Sequence, residues 1–547
     1  MNTRQLLAVI ATIMLTAAGC GSGSSGGTAQ PPPPPPPPPV TTSEAFKVLN
    51  QASFGATGAE AQRIITMGIE GWIDDQLAQP ASLQLPHLQS LPRPQFLFEL
   101  QPDRVDIWFR NGLTGPDQLR QRVAFALSEI MVVSQLGVLG NMTYSLADFY
   151  DVLSRNAFGN YRDLIEEVTL HPAMGVYLSM LGNERPDPVL NIRPDENYAR
   201  ELMQLFSVGL VELNVDGTTR LDNLGNPIPT YDQSIIEGFA HVYTGWTYAG
   251  APSFRGAFPT DFNQIIPMQL YPGFHDTGPK KLLNGVELPA GQSGNQDLAD
   301  ALDNIFNHSN VGPFIAIRLI QRLVTSNPSP GYVQRVAQMF NNNGAGVRGD
   351  LGAVVKAILM DDEARPDLAM DLDGKLKEPL LRLTQLWRAY DAQSASGRYP
   401  LVASFILFGQ GPLQSPSVFN FFSPFYSPPG EIRNIGLVAP ELQIASEYQN
   451  TYVTNYWFFQ TFGLNQTNTD LQEDDIFIDF SEEMMVADDV DALIDMVAGK
   501  LLAGDISAAL RQEITNIMAL IPETETALRA AETIYLIVSS PEYAYQK

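Results

Sequence analysis

The chain has 547 residues, of which 33 are lysine or arginine and 60 are aspartate or glutamate, so its formal net charge is −27. Hydrophobic residues make up 44% and charged residues 17%, which is typical of a globular protein and argues against general disorder. The acidic balance argues against a nucleic-acid partner, because neutralising phosphates requires clustered lysine and arginine. A single cysteine excludes an intrachain disulfide and any multi-cysteine metal site.

Residues 1–19 have the pattern of a bacterial export signal. Arg4 supplies a positive start, and the apolar stretch from Leu6 to Ala18 is shorter than a stable membrane span. It ends in the sequence AAGC, and small residues before a lone cysteine resemble a lipoprotein signal that is cleaved before that cysteine. Cys20 is therefore the predicted lipidation site, which would attach the protein to a membrane. The alternative is ordinary secretion with an incidental cysteine.

Residues 20–43 are predicted to form a tether between the lipid and the folded body. Gly21 to Gln30 is rich in glycine and serine, whereas Pro31 to Pro39 is an unbroken proline run. A polyproline II rod of that length would extend ~28 Å at ~3.1 Å per residue. Gly21 stands where an inner-membrane retention signal would usually place aspartate. The resemblance to lipoproteins therefore implies the outer membrane, on its periplasmic or its surface face.

Residues 44–547 are predicted to form one mainly α, multi-helix domain with a small irregular or β-hairpin insertion at about 214–294. Apolar residues recur at helical spacing in several segments, and further helices are predicted at 490–502, 508–520 and 527–538. One helix should open at Gly312-Pro313. The clearest apolar stripe consists of Leu119, Val123, Leu127, Ile130 and Met131.

Two acidic segments raise the question of calcium binding. Ten acids lie between Asp470 and Asp491, but their spacing does not fit the twelve-residue calcium loop, which needs a central glycine. We interpret them as a solvated face with helix-start acids near Asp489. The turn-rich segment from Asn214 to Asp232 also offers oxygen ligands. Asx-turns explain the same residues without a metal, and we favour that interpretation.

The most informative segment is residues 193–210, RPDENYARELMQLFSVGL. Proline in the first turn and acids beside the positive end of the dipole predict a helix. At 100° per residue, Asn197 and Glu201 lie at the edge of the apolar face, where a polar group needs a partner. Glu196 and Arg200 lie on the opposite side, one turn apart, and can form an ion pair.

Segment 193–210 resembles the signature of a bacterial family known only as domain of unknown function 1800. The resemblance extends over roughly Glu44 to Lys547, and the chain is identified as an exported lipoprotein member. Further motifs that resemble the family's motifs follow in its usual order, namely Leu49–Thr57, His171–Met174, Thr244–Trp246, His275–Gly278, Gly312–Ile315, Asn327-Pro328, Lys377–Pro379, Ser415–Phe422 and Tyr426–Gly430.

The resemblance implies an exported protein without an established activity. Many members are found beside another uncharacterised exported family, domain of unknown function 1501, which resembles alkaline phosphatases and sulfatases in fold. A protein of that kind is an expected partner. Many members also carry a Trp-His-Asn-His motif after the first long helix, but here FALSEI at residues 125–130 contains no histidine. No metal or acid/base role of that motif can be transferred to this chain.

The five histidines limit the possible acid/base or metal chemistry, and no H-E-x-x-H pattern occurs. Glu237 and His241 are one helical turn apart on the outward face, which indicates a surface contact. His275 and Asp276 sit together in the irregular stretch 247–294, where a histidine beside an acid can act as a ligand or a general base. The alternative is that His275 holds its own loop in place by hydrogen bonds.

A speculative site combines the signature helix with this loop. Glu201 would act as base or ligand, Arg200 as an anion clamp, and Trp246 as a stacking wall. The alternative is a buried polar network that locks the helices together. The residues of the speculative site are Asn197, Arg200, Glu201, Trp246, His275 and Asp276.

Two functions are compatible with the sequence. The first is a non-enzymatic binding or assembly protein of the cell envelope, supported by the tether and by the aromatic, proline-rich stretch Ser415–Gly430. The second is a hydrolase that acts on an envelope or extracellular polymer through the Glu201/His275 neighbourhood. A flat aromatic surface would favour the binder, and a deep polar cleft with those two residues would favour the enzyme. The sequence indicates no particular cofactor or metal.

Overall fold

The computed structural model describes residues 39–364 and 374–546. The predicted signal peptide, the lipidation site Cys20 and the tether up to residue 38 lie outside the described residues. Helices dominate the described part, and the prediction of a mainly α fold is confirmed. None of the helices in these two ranges is both long enough and apolar enough to span a bilayer.

The first helices include the segment that carries the stripe at Leu119 to Leu127. They are α1 (Thr42–Ala52), α2 (Gly58–Met67), α3 (Ile69–Ala78), α4 (Leu85–Ser90), α5 (Gln101–Thr114), α6 (Gln118–Ser128), α7 (Thr143–Asn156), α8 (Tyr161–Leu170), α9 (Pro172–Tyr177), α10 (Asn197–Glu201) and α11 (Gln233–Val242). The α6 helix ends before Ile130 and Met131, which stay buried in the turn that follows.

The helices of the second half agree closely with the sequence pattern. They are α12 (Gly294–Phe306), α13 (Val311–Leu323), α14 (Pro330–Asn341), α15 (Leu351–Met360), α16 (Pro379–Ala389), α17 (Ser404–Phe408), α18 (Glu431–Asn434), α19 (Glu447–Phe462), α20 (Ser481–Met485), α21 (Val490–Leu502), α22 (Ala508–Met518), α23 (Thr526–Val538) and α24 (Pro541–Ala544). The predicted 490–502 helix is α21, and Asp489 caps it by accepting from the Ala492 amide at 3.1 Å.

Strands are short and pair two by two in antiparallel fashion. β1 (Trp246–Thr247) pairs with β2 (Gln269–Leu270), β3 (Lys280–Lys281) with β4 (Glu287–Leu288), and β5 (Lys375–Leu376) with β6 (Tyr545–Gln546). The first two pairs lie in the predicted irregular insertion. The third pair joins the segment before α16 to the end of the chain.

The turn-rich segment 214–232 forms two consecutive hairpin-like turns. Isolated antiparallel bridges join Leu213 to Thr219 and Leu221 to Pro227. The Asp222 Oδ1 atom accepts from the amides of Leu224 and Asn226 at 2.8 and 2.9 Å. These contacts agree with the Asx-turn interpretation, in which the carboxylates serve the backbone.

The signature segment differs from the single helix that its pattern predicts. The α10 helix gives way to a π-helical turn at Leu202–Ser207, which inserts an extra residue per turn. The Ser207 Oγ atom donates to the Leu202 carbonyl at 2.6 Å, and the Gly209 amide donates to the Met203 carbonyl at 2.9 Å. Gly209 has a φ of +73°, which ends the helix in the left-handed region that glycine tolerates.

Candidate functional site

The end of the signature helix borders a cleft of about 490 Å³, here called the aromatic cleft. One wall is α13, and the opposite wall is the segment 418–425. Phe419 and Phe425 on that segment are 57% and 58% exposed. Leucine, valine and isoleucine side chains also line the cleft, namely Ile130, Leu205, Val208, Leu210, Val211, Leu213 and Ile317.

Arg318 projects from α13 into this apolar surround. Its guanidinium lies over the rings of Phe314 and Phe425, at 4.8 and 4.6 Å from the ring centroids. Its Nη1 atom is buried and has no hydrogen-bond partner among the described residues. Burial, with a smaller contribution from the charge of Arg322, lowers the pKa of Arg318 to about 9. The group therefore remains a cation at neutral pH.

A buried network of charges forms the floor of the cleft. Arg322 Nη1 lies 3.3 Å from Glu129 Oε2 and 3.8 Å from Glu378 Oε1. Gln410 Nε2 donates to both carboxyl groups, at 3.1 Å to Glu129 and 2.6 Å to Glu378. Both glutamates are buried, at 5% and 0% exposure, and Glu129 lines the cleft. The network thus connects the cleft surface to the core.

The two glutamates titrate in opposite directions. Burial, reinforced by the charge of Glu378 and opposed by Arg322, raises the pKa of Glu129 to about 8. Burial also disfavours the Glu378 carboxylate, but the charges of Lys375, Arg322 and Arg122 outweigh it and lower its pKa to about 2. Two adjacent buried carboxyl groups share one proton in this way. At neutral pH Glu129 therefore holds a proton and Glu378 is ionised.

Lys375 closes the network from the side of β5. Its Nζ atom lies 3.1 Å from Glu441 Oε1 and 3.4 Å from Glu378 Oε1, and donates to the Arg322 carbonyl at 2.9 Å. Charged side chains buried this completely are stable only when paired. The network therefore fixes the base of α13 and, through it, the position of Arg318.

His275 lies away from this floor and is held on both sides. Its Nε2 atom is 2.9 Å from Asp297 Oδ2, and its Nδ1 atom is 2.9 Å from the Thr244 carbonyl oxygen. Lys280 Nζ also lies 2.7 Å from Asp297 Oδ2, and the three side chains are all buried. His275 thus tethers its loop to α12, which is the structural alternative raised by the sequence.

Asp276 does not share the partner of the adjacent His275, because its carboxylate faces His241 of α11. Its carboxylate contacts His241 Nδ1, and its Oδ1 atom accepts from the Gly278 amide at 2.8 Å. The hydrogen bond from His241 is the main cause that lowers the pKa of Asp276 to about 2. His275 and Asp276 therefore belong to two separate pairs, His275 with Asp297 and Asp276 with His241. The sequence suggested a contact between His241 and Glu237, but His241 contacts Asp276 instead.

The predicted residues of the signature helix lie at or near its surface. Arg200 Nη2 is 2.8 Å from Glu196 Oε2, which is the ion pair that the spacing predicts. Asn197 is exposed at the start of α10. Glu201 has one buried oxygen, Oε2, without a hydrogen-bond partner in the described part of the chain. Burial raises the pKa of Glu201, and the charge of Arg200 opposes this shift.

Trp246 is 3% exposed in β1, so its ring belongs to the core.

The family model described as "Protein of unknown function (DUF1800)" matches residues 47–545. The chain belongs to this family. The match confirms the resemblance carried by the ordered motifs, and it includes both the aromatic cleft and the His275 loop. No curated protein and no solved structure matches the chain.

Metal binding finds no support in the described geometry. Across residues 39–364 and 374–546, no group of three or more histidine, cysteine, aspartate or glutamate side chains is arranged to hold a metal ion. The side chains of four histidines contact backbone groups or carboxylates, namely His171, His241, His275 and His308. His171, for example, accepts from the Ala173 amide at 3.1 Å and caps α9, while its Nε2 atom lies 3.3 Å from Asp148.

Sequence reasoning missed the charged floor of the cleft. One signal was present at Glu129, a lone acid in the apolar run LSEIMVV, within the segment where many DUF1800 members carry their histidine motif. A second was the motif Lys377–Pro379, which contains Glu378. Each residue looks ordinary alone, because only the fold brings the two carboxyl groups together around Arg322.

Proposed function

We propose that this DUF1800 protein is a non-enzymatic binding protein of the cell envelope and that the aromatic cleft takes an apolar ligand. One observation carries the proposal: Phe419 and Phe425 stand more than half exposed on the wall of a cavity that also has a set of aliphatic side chains in its lining. Exposed aromatic side chains beside a concave apolar surface are typical of a binding site. They belong to the stretch Ser415–Gly430 that supports a binding role at the level of sequence.

The volume and composition of the cleft suit a small ligand. A cavity of about 490 Å³ falls within the ~300–1,000 Å³ typical of small-molecule sites. Its walls offer apolar contact, and the charged side chains in its lining are Arg318 together with Glu129 and Arg322 of the floor. Burial of the ligand's apolar surface would supply most of the binding free energy, at about 25 cal/mol per Å² of apolar area.

The alternative, a hydrolase of an envelope or extracellular polymer, depends on Glu201 and His275. A general base needs a nitrogen or oxygen free to reach the substrate's proton. Both nitrogens of His275 are engaged, one with Asp297 and one with the Thr244 carbonyl. Burial raises the pKa of Glu201, and its buried Oε2 atom has no hydrogen-bond partner among the described residues, so no described side chain positions this oxygen for catalysis. We therefore favour binding over hydrolysis.

The binding test uses an uncharged fluorescent probe, Nile red, titrated into the full-length protein. We expect saturable binding that the double substitution Phe419→Ala/Phe425→Ala weakens at least about fivefold, because the rings supply much of the apolar contact. The matched control is Phe258→Ala/Phe262→Ala, since these side chains are 64% and 69% exposed and lie outside the cleft. The absence of saturable binding, or equal losses in both double variants, would overturn the proposal.

We further propose that Cys20 carries a lipid that anchors the protein to the outer membrane. An alkyne fatty acid fed to the cells should label the wild-type protein in the outer-membrane fraction, and Cys20→Ala should abolish both the label and the membrane association. An unlabelled wild-type protein would contradict this. Affinity capture of the anchored protein should also recover the proposed partner, an exported protein of the phosphatase/sulfatase-like neighbouring family.

A further inference from the structure

We propose that the ligand of the aromatic cleft is a small carboxylate with an apolar body, and that Arg318 binds its carboxylate group. The inference rests on the proposed binding function and specifies the ligand class. Arg318 is a cation placed over two aromatic rings, and no carboxylate among the described residues pairs with it.

The two arginines of α13 that reach the cleft differ in their partners. Arg322 lies within ion-pair distance of Glu129 and Glu378. One turn earlier, Arg318 forms no ion pair within the described residues, and its guanidinium lies over the rings of Phe314 and Phe425. The Arg318 side chain is only partly buried, but its Nη1 atom is buried without a hydrogen-bond partner among the described residues, which is unfavourable for a cation unless a counter-charge arrives. A bound anion would supply that counter-charge.

The floor of the cleft does not neutralise Arg318. Its acids, Glu129, Glu378 and Glu441, already face Arg322 and Lys375. Because Glu129 holds a proton at neutral pH, only Glu378 and Glu441 can balance Arg322 and Lys375, so the floor has no surplus carboxylate for Arg318. The chain as a whole carries −27, so this positive site is a local feature and not a reflection of net charge.

The geometry favours a single carboxylate over a phosphate. A guanidinium presents a planar fork that matches a carboxylate in bidentate fashion. A phosphate dianion would bring a second charge to a site with one unpaired arginine, close to the ionised Glu378. The aliphatic walls, including Leu205, Leu213 and Ile317, receive the apolar body of the ligand. An amphipathic monocarboxylate fits both features.

The test measures how three probes with the same ten-carbon chain displace Nile red from the full-length protein. The probes are decanoate, decan-1-ol and decyltrimethylammonium. We expect decanoate to bind at least about tenfold more tightly than decan-1-ol, because a charge-assisted pair with arginine adds to the same apolar contact. Decyltrimethylammonium should bind most weakly. A fourth probe, 4-phenylbutyrate, shows whether an aromatic body is preferred to an aliphatic one.

The substitution Arg318→Met should abolish the preference for decanoate over decan-1-ol while leaving decan-1-ol affinity within about twofold. Arg193→Met, at an exposed arginine outside the cleft, is the matched control and should keep the preference. Arg318→Lys keeps the positive charge without the planar fork and should retain part of the preference for decanoate.

The results separate this inference from the proposed function. Equal binding of decanoate and decan-1-ol by the wild-type protein overturns the carboxylate assignment, and this measurement does not depend on whether Arg318→Met folds. That result would not contradict the binding of an apolar ligand. A preference for decanoate that persists in a folded Arg318→Met variant overturns the role of Arg318. If Nile red does not bind saturably, the proposed function itself falls.

Discussion

Replacing Glu129 by glutamine should change how the stability of the protein depends on pH. Glutamine imitates the protonated acid, because it keeps an oxygen to accept from Gln410 and adds donors near Glu378 and Arg322. In the wild-type protein the pKa of Glu129 is raised to about 8, whereas in the unfolded chain it has its ordinary value of 4.5. At pH values between 4.5 and about 8, the native state therefore holds a proton on Glu129 that the unfolded state has lost.

The sign of the effect follows from linkage. Between about pH 5 and pH 8 the native state binds more protons than the unfolded state, so the free energy of unfolding falls as pH rises. Each pH unit contributes at most about 1.4 kcal/mol, which gives an upper bound on the order of 4 kcal/mol over this window. Relaxation around the two glutamates reduces the effect. Between pH 5 and pH 8 we expect the free energy of unfolding of the wild-type protein to fall by on the order of 2 kcal/mol more than that of Glu129→Gln.

Glu441 shares the direction of this effect, because burial raises its pKa above its ordinary value, but it is present in both proteins and cancels in the comparison. The pKa of Glu378 is lowered to about 2, so its contribution is present above its ordinary pKa and is lost only as pH falls below about 4.5. The pKa of Asp151 is raised to about 7, mainly by burial, but this group is the same in both proteins and cancels in the comparison.

Urea titrations at pH 5, 6.5 and 8, followed by circular dichroism, measure the difference between the two proteins. We expect the urea midpoints of wild type and Glu129→Gln to converge at pH 5 and to separate in favour of the variant at pH 8. Glu523→Gln, at an exposed glutamate, controls for the loss of one negative charge. Parallel pH profiles for wild type and Glu129→Gln would refute the assignment of a shared proton to this floor.

Two substitutions away from the cleft test the packing of the fold. Gly238→Ala should destabilise the protein by about 3 kcal/mol in thermal unfolding, because a Cβ there would overlap the carbonyl oxygen of Lys281. Gly71→Ala, in α3, meets only ordinary contacts with Met67 of α2 and should stabilise the protein by about 0.5–1 kcal/mol in the same assay. Asp297→Asn should cost about 3–5 kcal/mol by leaving the neighbouring buried lysine without its counter-charge. The exposed Asp303 of the same helix is its control, and Asp303→Asn should cost less than about 1 kcal/mol by the same assay; similar losses at both aspartates would contradict this view.

The sequence is a good guide to local structure in this protein. Periodicity places α21 at its observed ends, and Asp489 caps that helix as the acids near its start suggested. The turn residues around Asp222 satisfy backbone amides in the way that their composition predicts. These features depend on contacts between residues a few positions apart, which a sequence pattern records directly.

Contacts between distant segments are not recorded in that way. In the sequence, His275 and Asp276 looked like one unit. In the structure, His275 contacts Asp297 of α12, which also pairs with Lys280 of β3, whereas Asp276 contacts His241 of α11. The signature helix likewise departs from its pattern when it becomes π-helical at Leu202–Ser207. Long-range packing selects these arrangements, so periodicity alone cannot predict them.

The most direct test of the central claim is a crystal structure of the full-length protein with 10-bromodecanoate, in which anomalous scattering locates the bromine. We expect the carboxylate oxygens to lie about 2.7–2.9 Å from the Arg318 guanidinium nitrogens, as in charge-assisted hydrogen bonds. The bromine should lie between α13 and the segment 418–425. A bromine outside this cleft, or a carboxylate turned away from Arg318, would contradict the account.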